Sequence, residues 1–186
     1  MTPARKLAIV VAVQLLILFG VLGFKQYTVW TSETVLLKVQ PVDPRGLLGG
    51  QSAAVQFDIS RLSPGTVAWD KDAPDCCNSP VFVELQRQPD GYWTAIAVHG
   101  DNRHSRDGTV VIKGHVTTMY YPYGRGSGTL EIRYGIEQIF IPEGAATEIP
   151  SGTGHTVAVE VRVDRFGNAT PRHFMIDGKF AKLERR

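Results

Sequence analysis

Residues 157–164, "VAVEVRVD", carry a valine at every second position, with Glu160 and Arg162 between the valines. Successive side chains of a β-strand point to opposite faces, so this period of two places all the valines on one face. The stretch therefore predicts a strand with one buried face and one wet face.

The same alternation recurs along the chain, which predicts seven or eight strands and almost no helix beyond the amino terminus. The alternating runs are Val35/Leu37/Val39, Val55/Phe57/Ile59, Val81/Val83/Leu85, Tyr92/Thr94/Ile96/Val98, Val110/Ile112/Val116 and Leu130/Ile132/Tyr134/Ile136. "QPDGY" (88–92) and "DRFGNA" (164–169) supply the Asp, Asn and Gly that hairpin turns need. We therefore expect a mainly β fold, with one antiparallel β-sandwich or barrel-like domain over residues 34–186.

Residues 7–24, "LAIVVAVQLLILFGVLGF", contain no charge. At ~1.5 Å per residue this segment is about 27 Å long, close to the thickness of a bilayer core. We expect a cytoplasmic tail at 1–6, a transmembrane anchor at 7–24 and a juxtamembrane link at 25–33. A cleaved signal peptide is the main alternative, although its apolar stretch is usually shorter and is followed by small residues at the cleavage site.

The charged residues predict the orientation of the apolar segment in the membrane and argue against nucleic acid as a partner. Arg5 and Lys6 precede the apolar segment, so the tail should stay in the cytoplasm and the β domain should lie outside it. The net charge is +2, and Lys and Arg are scattered rather than clustered. This pattern does not favour a nucleic-acid surface, so the expected non-protein partner is the lipid bilayer, through residues 7–24.

Cys76 and Cys77 are adjacent. Outside the cytoplasm they could form a strained vicinal disulfide, an intermolecular bridge, or remain two loop thiols. We treat the two cysteines as a candidate redox pair. No further Cys or His lies near them at a spacing typical of metal ligands.

The most polar segment is "HGDNRHSRDG" (99–108), which we interpret as a solvated connector between two strands. Asp107 and Gly108 should turn the chain into the next strand, and His99 and His115 should lie on wet faces. Two alternatives remain: a metal site at Asp101, His104 and Asp107, and a peptidase. The "GDNR" box resembles one in bacterial signal peptidases, but Ser32, Ser52, Ser60, Lys71 and Lys113 lack the sequence context of that nucleophile and base.

Three further stretches form a recognisable pattern in their order and spacing: "VQPVDPRGLLGGQSAAVQFDIS" (39–60), "RYGIEQIFIPEG" (133–144) and "VRVDRFGNATPRHFMIDG" (161–178). Together they resemble the GDYXXLXY family of membrane-anchored bacterial proteins. The namesake motif falls on residues 50–57, where Gln51 and Ser52 replace the family's Asp and Tyr. The resemblance implies a single-anchor domain exported across the bacterial inner membrane, in the periplasm or outside the cell, that accompanies polytopic membrane proteins.

We therefore expect a non-enzymatic accessory or interaction subunit, with no catalytic, cofactor-binding or metal-binding residue assigned. A cryptic hydrolase and a small-ligand-binding β domain are the alternatives. Glu137 and Glu143 could be paired carboxylates, but turn chemistry explains them as well. The candidate partner-binding residues are Asp43, Arg45, Tyr120, Tyr121, Tyr123 and Arg125, because aromatic and Arg side chains are enriched at interfaces.

Overall fold

A computed structural model describes residues 3–40, 53–63, 65–73, 78–102, 106–120, 128–139 and 156–180. The chain divides into two compact units, Met1–Ser32 and Glu33–Arg186. The first contains one helix, α1 (Pro3–Trp30). The helix therefore runs on from residues 7–24 through most of the segment expected as a link.

The second unit is built from strands, as the alternation predicts. The elements in order are β1 (Glu33–Lys38), β2 (Ala53–Ala54), a 3₁₀ turn (Asp58–Ser60), β3 (Arg61–Leu62), β4 (Ala68–Trp69), β5 (Pro80–Arg87), β6 (Trp93–His99), β7 (Thr109–Tyr120), β8 (Thr129–Arg133), β9 (Gln138–Ile139), β10 (Val157–Val163), β11 (Ala169–Ile176) and β12 (Lys179–Phe180). Over the described ranges, seven strands have five residues or more and five have two. The mainly β fold class is confirmed.

The strands form two main sheets. One has the order β1-β10-β11-β12, the other the order β3-β8-β7-β5-β6-β4, and β2 pairs with β9. All described pairs are antiparallel apart from β4–β6, which is parallel. The architecture is the sandwich or barrel-like one predicted, with one parallel pair at its edge.

A single apolar core joins the two main sheets. Val159, Val161 and Val163 of β10 contribute to it together with Val35 and Leu37 of β1 on one side. Val81, Val83 and Leu85 of β5 contribute on the other side, and all three are fully buried. The buried faces predicted for these strands are correct. A strand with one buried face has an apolar residue at every second position, and that is the pattern from which the faces were predicted.

The strand predicted at Val55, Phe57 and Ile59 does not form as a regular strand, although the three side chains are buried as predicted. All three side chains are buried, yet only an isolated bridge from Phe57 to Val39 is strand-like, and Asp58–Ser60 form the 3₁₀ turn. The buried Ser60 hydroxyl accepts a hydrogen bond from the Phe57 backbone N–H at 3.2 Å. That local bond stabilises the turn in competition with strand pairing.

The predicted face of β6 is also wrong over part of its length. Val98 lies in the core, but Trp93 and Ala95 pack against the core instead of Ile96, and Thr94 is exposed. The pairing with β5 shifts here: Glu84 pairs with Ala97, and Leu85 pairs with Ala95. One extra residue in β6 forms a β-bulge, which reverses the orientation of the side chains before it.

Candidate functional site

The turn after β8 contains Glu137, the first of the two carboxylates in the second family-like stretch. The Glu137 carboxylate accepts hydrogen bonds from the backbone N–H groups of Tyr134 and Gly135, the latter at 2.9 Å. Gly135 has φ of +81°, a conformation that favours glycine. Glu137 therefore holds a turn, as the turn-chemistry interpretation expects, and Glu143 lies outside the described residues.

Tyr134 connects this turn to the 3₁₀ turn. Its buried hydroxyl donates to the Ile59 backbone carbonyl at 2.7 Å, across 75 positions of sequence. Burial raises the pKa of Tyr134 well above its ordinary value, and the Glu137 carboxylate adds to that effect. The phenol is thus a neutral structural donor in the folded protein.

The third family-like stretch contains a second carboxylate-held turn. The Asp164 carboxylate accepts from the backbone N–H groups of Phe166 (2.8 Å) and Asn168 (2.9 Å), and from the Asn168 side chain (3.0 Å). Gly167 has φ of +83°, and its carbonyl accepts from the Lys113 backbone N–H of β7 at 2.8 Å. The predicted hairpin at 164–169 is confirmed, and it also contacts the other sheet.

The predicted hairpin at 88–92 forms a second inter-sheet contact. Lys38 of β1 binds Asp90 in this turn at 2.8 Å, and its ammonium lies 4.4 Å from the centre of the Tyr92 ring. The hydrogen bond between them raises the pKa of Lys38 and lowers that of Asp90. Because both side chains are well exposed, water screens this pair and it contributes little stability.

A separate group of polar side chains is buried on the face of the six-stranded sheet that points away from the core. His99, the last residue of β6, pairs with Phe82 of β5, and Glu84 lies two residues further along β5 on the same face. The His99 Nε2 atom lies 3.2 Å from Glu84 Oε2, and Nδ1 lies 3.3 Å from Asp70 Oδ2. We name Asp70, Glu84 and His99 the His99 cluster.

Three elements position the His99 cluster. Asp70 directly follows β4, where its backbone N–H bonds to the Val98 carbonyl at 3.0 Å and fixes it beside the end of β6. The side chains of Glu84 and His99 are only 8% and 11% exposed, whereas that of Asp70 is 24% exposed. The cluster is therefore closed at Glu84 and partly open to solvent at Asp70.

The number of protons on the imidazole and the two carboxyl groups limits the hydrogen bonds that the His99 cluster can form. A neutral imidazole has one N–H donor, so it can donate to both carboxylates only in its doubly protonated form, or else one carboxyl must carry the proton. Buried carboxylates and an imidazole arranged in this way hold each other in place. The two carboxylates lie on opposite sides of the ring, and within the described ranges no three His, Cys, Asp or Glu side chains form a group that could hold a metal ion.

The prediction that His99 lies on a wet face is wrong, although His115 is exposed as expected. Glu84 carries the signal that could have revealed this, since it lies within the nearly continuous apolar run "VFVEL" (81–85). Such a run indicates a strand that is buried on both faces. A charged residue there needs a buried partner.

The connector after His99 has a different topology from a hairpin. Both β6 and β7 are antiparallel neighbours of β5, so they run in the same direction and do not form a hairpin with each other. Its last turn is as predicted: Gly108 has φ of +82°, and the Thr109 N–H donates to the Arg106 carbonyl at 2.9 Å. Asp101 and Asp107 are exposed, and His104 lies outside the described residues.

The connector starts against the segment that follows β4. A Cβ added to Gly100 would lie 1.8 Å from the Asp72 carbonyl oxygen, so the two backbones touch where the connector leaves the sheet. The segment after Asp72 leads towards Cys76 and Cys77. The His99 cluster thus lies where the segment after β4 meets the start of the connector.

Of the candidate partner-binding residues, the structure describes Tyr120, whose side chain is 66% exposed at the end of β7. Asp43, Arg45, Tyr121, Tyr123 and Arg125 lie outside the described residues, as do Cys76 and Cys77. Among the peptidase candidates, the Ser60 hydroxyl is buried in the 3₁₀ turn and Lys71 is exposed after β4.

Comparison with known proteins gives a family. The family model described as GDYXXLXY protein matches residues 14–174, which is most of the chain. Neither the curated proteins nor the solved structures contain a match. The turns at Glu137 and Asp164 lie inside the matched range, as does the His99 cluster. On this evidence the chain belongs to the GDYXXLXY protein family.

Proposed function

We propose that this protein is a membrane-anchored interaction subunit. Its helix crosses the bacterial cytoplasmic membrane with the basic end inside, and its β domain stands outside the cytoplasm. There the domain binds a membrane protein partner of the polytopic kind, without catalysing a reaction.

The observation that carries this proposal is the apolar surface of α1. Arg5–Phe24 is long and apolar enough to cross a membrane by length and composition, and none of it is buried within the protein. Leu16 and Phe19, for example, are 74% and 67% exposed. An apolar surface of this size needs a cover, and lipid is the cover that fits a helix of this length.

The placement of the polar motif residues supports a binding role rather than a catalytic one. The carboxylates of Glu137 and Asp164 accept backbone hydrogen bonds, and both ring nitrogens of His99 face carboxylates of its own domain. The core between the main sheets is filled by side chains such as Phe57, Leu85 and Ile112. Such arrangements stabilise a rigid domain that presents a surface.

The experiment is affinity purification in mild detergent followed by mass spectrometry, with the full chain and a chain lacking residues 1–24. The proposal predicts a reproducible membrane protein partner with the full chain and a weaker yield without the helix. Tyr120→Ala should lower recovery, since this exposed tyrosine continues into the tyrosine-rich segment. His115→Ala, at another exposed position on β7, is the matched control. Recovery of no reproducible partner with the full chain would contradict the proposal.

A further inference from the structure

Gln14 is the one uncharged polar side chain of residues 7–24 and lies at the centre of the apolar segment. It is the tenth of the twenty residues Arg5–Phe24, and its side chain is exposed on the helix surface. At ~1.5 Å per residue it lies about 14 Å from either end of that segment. Its side chain is too short to reach water or lipid headgroups from that depth.

The carboxamide of Gln14 carries two N–H donors and one carbonyl acceptor. Hydrocarbon offers no partner for them, and each backbone N–H of α1 at this depth is engaged in the helix itself, so the carboxamide oxygen finds no donor on its own helix. The hydrogen bonds formed within the described residues do not reach this side chain. A polar group at the same depth on another helix is the remaining partner, and Gln is one of the residues that join membrane helices in this way.

We propose that α1 pairs with α1 of a second copy of this chain, through reciprocal hydrogen bonds between the two Gln14 side chains. Copies inserted in the same orientation place Gln14 at the same depth. Because the carboxamide is both donor and acceptor, each copy satisfies the other across a two-fold axis. Such a pair is closed, so it gives a dimer rather than an open chain.

The face around Gln14 can pack closely in such a pair. At about 100° per residue, Leu7 and Val21 lie within ~20° of Gln14 on the helix surface, and Leu18 lies within ~40°. All three are more than half exposed. Gly23 lies about 180° from Gln14, on the opposite face, so it serves as a control position.

This inference rests on the membrane anchoring in the proposed function, and the experiment separates the two. Full chains carrying donor or acceptor fluorescent proteins at the carboxyl terminus are reconstituted in phosphatidylcholine vesicles. Flotation with the vesicles reports anchoring. Energy transfer, measured over a range of protein-to-lipid ratios, reports pairing.

The wild type should float and show energy transfer above the level of random proximity. Gln14→Leu should float equally well but dissociate roughly three- to thirtyfold more readily, the range found for single polar contacts between membrane helices. Gln14→Asn keeps a carboxamide at that depth and should retain pairing. Gly23→Leu adds bulk to the opposite face and should leave pairing unchanged.

Four results would overturn the inference. If the wild type floats without specific energy transfer, the anchor stands and the pairing is wrong. If Gln14→Leu pairs as well as the wild type, or Gly23→Leu abolishes pairing, the contact is elsewhere. If the wild type does not float, the anchoring fails and the inference fails with it.

Discussion

Glu137 and Asp164 act in the same way in two different turns. Each carboxylate accepts two backbone N–H groups close to a glycine with positive φ. A carboxylate that accepts such bonds is held in one place and stabilises the turn. At the scale of residues, these two carboxylates of the family-like stretches therefore serve the fold.

Glu137→Ala should lower the free energy of unfolding by about 2 kcal/mol, because two backbone N–H groups lose a charged acceptor. Urea titration of the full chain in mild detergent, followed by the fluorescence of Trp69 and Trp93, measures this. Glu33→Ala, at an exposed position in β1, is the control and should change stability by less than about 0.5 kcal/mol. Equal losses in the two variants would show that Glu137 has no special role.

Tyr134→Phe should cost about 1 kcal/mol at neutral pH, because the Ile59 carbonyl loses its donor. Burial raises the pKa of Tyr134 in the folded protein, so its stabilising contribution is complete below the unfolded value, about 10. It is lost as pH rises above that value, at up to about 1.4 kcal/mol per pH unit. The difference between the two proteins should therefore shrink between pH 9 and pH 11, and a constant difference would contradict the burial of the phenol.

His99→Phe should lower stability by about 3 kcal/mol, because it leaves the Glu84 carboxylate buried without a partner. His173→Phe is the matched control, since His173 makes a similar contact with Glu160 at 3.4 Å but is 60% exposed. It should cost less than about 1 kcal/mol. Adding Glu84→Leu to His99→Phe should recover most of the loss. If the double variant does not recover stability, the effect of His99→Phe does not come from the loss of its contact with Glu84.

At the scale of elements, sequence alternation predicts which strands exist but not their irregularities. In β6 the odd-numbered and the even-numbered positions both contain apolar residues. Trp93 and Ala95 on one face are as suitable for the core as Ile96 on the other, so the sequence does not reveal the bulge. The 3₁₀ turn at 58–60 depends on a local bond from Ser60. The His99 cluster combines residues 70, 84 and 99, which only the strand register brings together. The turns at 88–92 and 164–169 are predictable because their chemistry is local.

Gly100→Ala should destabilise the domain by about 1–3 kcal/mol, because the new methyl group would collide with the Asp72 backbone carbonyl, which cannot rotate away. The segment after β4 would have to move and carry Asp70 away from His99. Gly65→Ala, where a Cβ meets nothing within 4 Å, is the control and should be nearly neutral. The melting temperature of the full chain in detergent, followed by circular dichroism, tests both. A neutral Gly100→Ala would contradict the close contact between the two segments.

At the scale of the whole molecule, the sequence separates a helix of exposed apolar side chains from a β domain with its own core. The two units, Met1–Ser32 and Glu33–Arg186, are each compact. The composition of residues 7–24 was sufficient to predict the helix, and the period of two was sufficient to predict the domain. The identity of the proposed partner is not predictable from the sequence, because binding surfaces are made of exposed residues whose pattern the fold does not constrain.

The central claim is that the helix stays attached and holds the β domain at the membrane. The most direct test is an alkaline wash of isolated membranes, combined with the intact mass of the mature chain. A helix that stays attached predicts a chain in the membrane pellet that retains residues 7–24. A chain recovered in the soluble fraction, cut near Phe24, would contradict it.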